Sequence, residues 1–142
     1  MTLESKKPKK KTIKVAAAII RKNGKVFCAE RAYGFLKGKW EFPGGKVEDG
    51  EKPEEAVIRE IKEELGTEIA VDRFLLNVKY EYPGFLLDMD CFECHVIRGR
   101  LETEKSIHSA EKWVEEKELD KVDWCPADKS IAEKPAIAKR IL

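Results

Sequence analysis

The sequence predicts an α+β fold in one domain: a mixed or antiparallel sheet with about two helices packed on it. Three observations predict it. Apolar, strand-like runs come in pairs separated by turn residues, as in "TIKVAAAII" and "KVFCAER" around Asn23-Gly24. One segment, residues 53–65, repeats its apolar residues with a helical period instead. The composition, 42% hydrophobic and 39% charged over 142 residues, is that of a globular chain with one core.

The elements follow in order. "SKKPKKK" near the start reads as a solvated lysine-rich tail over residues 1–12, with the folded domain spanning 13–142. "TIKVAAAII" is a buried strand, Asn23-Gly24 a hairpin turn and "KVFCAER" the return strand. "AYGFLKGKWEFPGG" holds Gly34, Gly38, Gly44, Gly45 and Pro43 and reads as mostly loop. The helix runs from Pro53 to Leu65. Proline suits its first turn, Glu54 and Glu55 complement the dipole there, and Gly66 suits the position just past its end. Two strands, Phe74–Tyr82 and Leu86–Arg98, flank Pro83-Gly84. "EKWVEEKELDKVDW" reads as a short strand and a helical turn. A last helix follows, with Asp128 a candidate N-cap and Pro135 a kink near Lys134.

A net charge of +1 selects neither nucleic acid nor membrane, so no stable partner of either kind is expected. No apolar run reaches the ~18 residues of a membrane span, and the N-terminus lacks the apolar segment of a secretory signal. Cys91 and Cys94 form a C-x-x-C, the spacing of a redox pair or zinc half-site, but no second such pair exists. Three residues apart on a strand, they point to opposite faces. The expected reading is reduced, partly buried thiols in a cytoplasmic protein.

"REIKEELG" places Glu60, Glu63 and Glu64 at i, i+3 and i+4. At ~100° per residue, Val57, Ile58, Ile61 and Leu65 form an apolar face and the glutamates an adjoining acidic one. Like charges at these spacings oppose the helix by a few tenths of a kcal/mol each. The cluster reads either as a solvated face or as a divalent-cation site, since Mg²⁺ and Mn²⁺ prefer carboxylate oxygens.

The flanking residues extend the pattern. "GKVEDGEKPEEAVIREIKEELGT" follows G-x5-E-x7-R-E-U-x-E-E-x-G-U, U being a large aliphatic residue. Gly45, Glu51, Arg59, Glu60, Ile61, Glu63, Glu64 and Gly66 are in register, and Thr67 departs from the aliphatic last position. This resembles the Nudix hydrolase family. The resemblance implies a mixed β-sheet packed between α-helices, an α/β/α sandwich. It implies Arg59 paired with Glu51 to fix loop against helix, and Mg²⁺ (or Mn²⁺) held by Glu60, Glu63 and Glu64 with Gly44. Gly45 is expected to allow a tight turn.

"WEFPGGKVE", "AER", "KYEYPG" and "DWCPAD" are similar to the MutT-like branch. That implies cleavage of nucleoside triphosphates to monophosphate and pyrophosphate, either sanitising the pool of oxidised nucleotides such as 8-oxo-dGTP or acting on CTP or dCTP. Arg31 and Lys46 become candidate phosphate contacts, Glu41 a support for the metal site, Tyr82 and Phe85 candidates to stack on the base, and Asp128 a base reader. Ordinary readings compete: a solvated strand end for Arg31, core packing for the aromatics, a helix cap for Asp128. MutT-like chains usually carry a carboxylate six residues before the tryptophan that is here Trp113, and this chain has Ile107 there. Glu104, Glu111 or the box glutamates are the candidates to replace it. His108 is a candidate acid–base group or simply a structural or exposed loop residue. A catalytically weak nucleotide-binding module is the rival class. A monomer or homodimer is expected.

Overall fold

A computed structural model of the protein describes residues 10–133. The expected kink at Pro135 and residues 1–9 of the lysine-rich tail lie outside the described residues. The strands are β1 (Lys11–Lys22), β2 (Lys25–Arg31), β3 (Trp40–Glu41), β4 (Gly44–Lys46), β5 (Glu68–Tyr82), β6 (Phe85–Arg98) and β7 (His108–Glu115). The helices are α1 (Pro53–Leu65) and α2 (Pro126–Ala132), with a 3-10 turn at Glu116–Lys121. None of the described helices is long and apolar enough to cross a membrane.

β1 and β6 form the centre of the sheet and run parallel, Lys11–Ile20 beside Phe85–Cys94. β5 joins β6 antiparallel, and β4 joins β1 antiparallel through Val15–Ala17. The far end of β1 turns through Asn23-Gly24 into β2, which also carries β3 and β7. Alternation along β1 divides the core. Ala16, Ala18 and Ile20 pack with Phe27 and with Ala56, Val57, Ile61 and Leu65 of α1. Ala17 and Ile19 pack on the other face with Trp124 and with Ala127 and Ile131 of α2. A strand covered on both faces reads as a continuous apolar run, as "AAAII" does. The result is the expected sandwich of helix, sheet and helix. Cys91 and Cys94 fall in opposite clusters, and all four cysteines are buried.

Several expectations are corrected. β5 begins at Glu68 rather than Phe74, because three register shifts interrupt the alternation by which a strand is read. The 32–45 stretch is mostly loop, as expected, and carries β3 and the first two residues of β4. Asp128 is not the cap of α2: Cys125 precedes the helix and Pro126 takes its first position, leaving Asp128 in the first turn. Ile58 is 39% exposed rather than packed. Counting ~100° per residue from Glu60, the buried Ala56, Val57, Ile61 and Leu65 span about −40° to about 140°, and Ile58 at about 160° lies beyond that arc. Glu60 and Glu64, near 0° and about 40°, lie inside it, so two of the three carboxylates share the buried face.

Thr67, the departure from the box pattern, is buried, and its hydroxyl sits between the carbonyls of Leu65 and Arg100. The buried polar atom is thus satisfied. Gly66, with φ of 61°, takes the left-handed conformation that ends α1.

Candidate active site

The loop before α1 is tied to the helix by one arginine. Arg59 donates from Nε to Glu51 Oε2 (2.8 Å) and from Nη2 to Glu51 Oε1 (3.0 Å). Nη2 also donates to the Lys46 carbonyl at 3.0 Å. The Glu48 backbone N–H donates to Glu51 Oε1 at 3.0 Å. These bonds to Arg59 and then to Glu48 hold the Glu51 carboxyl down at about 2, and the same pairing raises Arg59 above its usual range. Arg59 Nη1 reaches further, to Glu60 Oε1 at 2.9 Å and Glu63 Oε2 at 3.2 Å.

Gly45 plays a different part from the one expected. It lies in β4 opposite Ala16 rather than at a turn, and a Cβ there would overlap the Glu60 carboxylate. The glycine makes room for a functional group. Glu60 is accordingly only 15% exposed, while Glu63 is 60% exposed. Glu64 is half-buried. Burial first, and then the charges of Glu60, Glu41 and Glu63, push its carboxyl up to about 8. Among the described residues, no three acidic, histidine or cysteine side chains already stand as a cation cage. The donor set still fits a hard divalent ion: it is made of carboxylate oxygens, and their mutual repulsion is what such an ion would relieve.

Next to these carboxylates lies a cleft of about 240 Å³. Its walls include Gly44, Glu64, Arg31, Glu41, Tyr82, Phe85 and Asp128, all singled out in the sequence and contributed by distant segments. Tyr82 and Phe85 stand across the Pro83-Gly84 turn with ring centroids 5.2 Å apart. The Tyr82 hydroxyl accepts from the Ala127 N–H at 3.1 Å. Asp128 is buried, and its Oδ2 accepts from the Phe42 N–H at 2.9 Å. Burial, then the charge on Glu41, pushes the Asp128 carboxyl up to about 8.

Glu41 is held from two sides. Arg31 Nη1 donates to Oε1 at 3.1 Å, and His108 Nε2 stands 3.0 Å from Oε2. His108 is therefore neither exposed nor in a loop; it is buried at the start of β7. Ile107 contributes an apolar wall to the cleft. Glu104 and Glu111 are exposed and are not among the lining residues, and the same holds for Lys46 on β4. The sequence reading missed Tyr33 and Phe35, which also line the cleft although 59% and 55% exposed. Phe35 meets Tyr82 edge-on at 5.6 Å, and its carbonyl accepts from Arg31 Nε at 3.2 Å. Large exposed aromatics in a glycine-punctuated loop were the available signal.

The model of the NUDIX domain matches residues 10–142. The chain belongs to the NUDIX domain family. It is a MutT-like Nudix hydrolase. The CTP pyrophosphohydrolase of Escherichia coli (strain K12) is 35% identical over 119 residues, covering 83% of this chain and 87% of that protein. The 8-oxo-dGTP diphosphatase of Proteus vulgaris is 42% identical over 85 residues, covering 58% of this chain and 76% of that protein. Among solved Nudix-fold structures, the solution structure of the E. coli ORF135 protein aligns with a TM-score of 0.74 at 33% identity, over 94% of this chain and 91% of that one.

Proposed function

We propose that the protein is a Mg²⁺-dependent pyrophosphohydrolase that converts nucleoside triphosphates to nucleoside monophosphate and pyrophosphate. In this reading it acts on oxidised purine nucleotides such as 8-oxo-dGTP and so clears them from the nucleotide pool. The observation that carries it is the composition of one cleft. Glu64 and Glu41 share its walls with a cation, Arg31, with the aromatic pair Tyr82 and Phe85, and with the buried Asp128. A polyphosphate needs the first two kinds of group, and a flat base needs the others.

Glu60, Glu63 and Glu64, with Gly44, would hold the cation, which when bound neutralises the polyphosphate and makes a water more acidic. Arg59 and Glu51 hold the loop that carries the site. Arg31 binds phosphate, and Tyr82 and Phe85 stack on the base. Lys46, outside the cleft walls, is assigned no contact. Ile107 brings no carboxylate, so the box glutamates, ionised once the cation is bound, remain to accept the proton of the attacking water. Asp128, pushed up to about 8, is protonated at neutral pH and can donate to a purine carbonyl.

A second reading is a CTP- or dCTP-directed enzyme, supported by the relative named CTP pyrophosphohydrolase, which is 35% identical over 83% of this chain. Measuring kcat/KM for CTP, dCTP, dGTP and 8-oxo-dGTP decides between them. A preference for 8-oxo-dGTP over dCTP supports the first reading, and the reverse order replaces it with the second.

A further inference from the structure

His108 is fixed at its backbone: its N–H donates to the Glu104 carbonyl at 2.9 Å, and its carbonyl accepts from the Thr103 hydroxyl at 3.3 Å. Among the described residues its imidazole makes one polar contact, Nε2 to Glu41, while Nδ1 is buried with no hydrogen-bond partner. A carboxylate accepts, so Nε2 carries a proton, and Nδ1 is left without a partner among the described residues. A buried polar atom without a partner costs stability, and an apolar ring of the same size would avoid that cost. What the imidazole supplies that such a ring cannot is the bond to Glu41.

That bond starts a chain across the cleft. Glu41 Oε2 meets His108, Glu41 Oε1 accepts from Arg31 Nη1, and Arg31 Nε donates to the Phe35 carbonyl. With Nε and Nη1 both held, the plane of the guanidinium is set, and with it the direction in which Nη2 points. Without the Nε2 donor, Glu41 is held by Arg31 alone, and the two side chains can turn together.

We propose that His108 is a positioning residue: acting through Glu41, it aims Arg31 at the phosphates of the substrate. This rests on the reading that the cleft binds a nucleoside triphosphate, and it goes beyond it by assigning a task to a buried residue of the cleft wall that acts through its neighbour.

The test compares His108→Phe, which keeps the ring and loses the donor, with His108→Gln, whose amide nitrogen reaches where Nε2 stands. In pyrophosphate-release assays with Mg²⁺, His108→Phe is expected to raise KM about tenfold with kcat within about twofold, the pattern of lost binding. His108→Gln is expected to keep KM within about twofold of wild type. An unchanged KM in folded His108→Phe, or equal damage in both variants, overturns the proposal. If His108→Phe melts below the assay temperature, His108→Asn takes its place. Its shorter amide cannot reach Glu41, so it must show the same rise in KM, and a wild-type KM overturns the proposal.

Wild-type turnover reads the function separately. If the wild type releases pyrophosphate from no nucleoside triphosphate, the proposed function fails. The positioning role is then read by calorimetry with inorganic tripolyphosphate. Affinity about tenfold weaker in His108→Phe but not in His108→Gln upholds the role, and equal affinities overturn it.

Discussion

Arg59 grips Glu51 with two hydrogen bonds, 2.8 and 3.0 Å, across eight residues of chain, and the same guanidinium reaches Glu60 and Glu63. One side chain therefore couples the fold of the loop to the placement of the carboxylates. Arg59→Ala should lower both stability and turnover, with Tm down by several degrees and kcat down by about tenfold or more. Thermal melts and steady-state kinetics check this. An unchanged Tm with only a raised KM would make Arg59 a substrate contact instead.

The acid limb of stability reports the same pair. The Glu51 carboxyl lies at about 2 in the folded protein, below the ~4.3 of an unfolded chain. Its contribution is fully present above pH ~4.3 and is lost as pH falls through about 2. Wild type should be more stable than Glu51→Gln at pH 5, and the gap should close between pH 4 and pH 2 in melts across that range. A gap independent of pH would reject the charged pair as its source.

Glu64→Gln separates repulsion from metal binding. With Glu64 raised by burial and by its acidic neighbours, the amide should raise Tm without metal, by a few degrees. It should also remove the stabilisation that added Mg²⁺ gives the wild type, because an ion that binds only the folded state stabilises in proportion to its affinity. Differential scanning fluorimetry with and without Mg²⁺ checks both. An equal Mg²⁺ shift in the two proteins would exclude Glu64 as a ligand.

Asp128 makes a pH-dependent prediction about specificity. Below about 8 its carboxyl is protonated and presents a donor, and above that value the donor is lost. Asparagine keeps an oxygen for the Phe42 N–H and presents an N–H₂ donor at every pH. At pH 7, Asp128→Asn should leave the ratio of kcat/KM for 8-oxo-dGTP to that for dCTP within a few-fold of wild type. Between pH 7 and pH 9 the wild-type ratio should fall about fivefold or more, the scale of one unmatched buried group, while the variant's stays level. Parallel pH profiles would remove Asp128 from base reading.

The local features of this fold were legible because their causes are local. Pro53, the early glutamates and Gly66 bound α1 at the residues expected from capping chemistry, and Asn23-Gly24 closes its hairpin. The burial of Glu60 and Glu64 was not legible. A helical wheel orders side chains around an axis but does not say how far the neighbouring elements wrap that axis. The space for Glu60 comes from the missing side chain of Gly45, fifteen positions away on β4 and read from sequence only as a turn former. His108 and Glu41 meet across 67 residues with no periodic signal to announce them. Asp128 looked like a cap because its residue type caps well, but Pro126 had already taken the first helical position.

The central claim is that the box carboxylates serve Mg²⁺-dependent cleavage between the α and β phosphates. The most direct measurement is product analysis after incubating wild type and Glu63→Gln with 8-oxo-dGTP and dCTP, with Mg²⁺ or with a chelator. The account predicts equal amounts of nucleoside monophosphate and pyrophosphate from wild type with Mg²⁺, none with chelator, and turnover about a hundredfold or more lower in folded Glu63→Gln. Release of orthophosphate in place of pyrophosphate, or undiminished turnover in Glu63→Gln at saturating Mg²⁺, would contradict it.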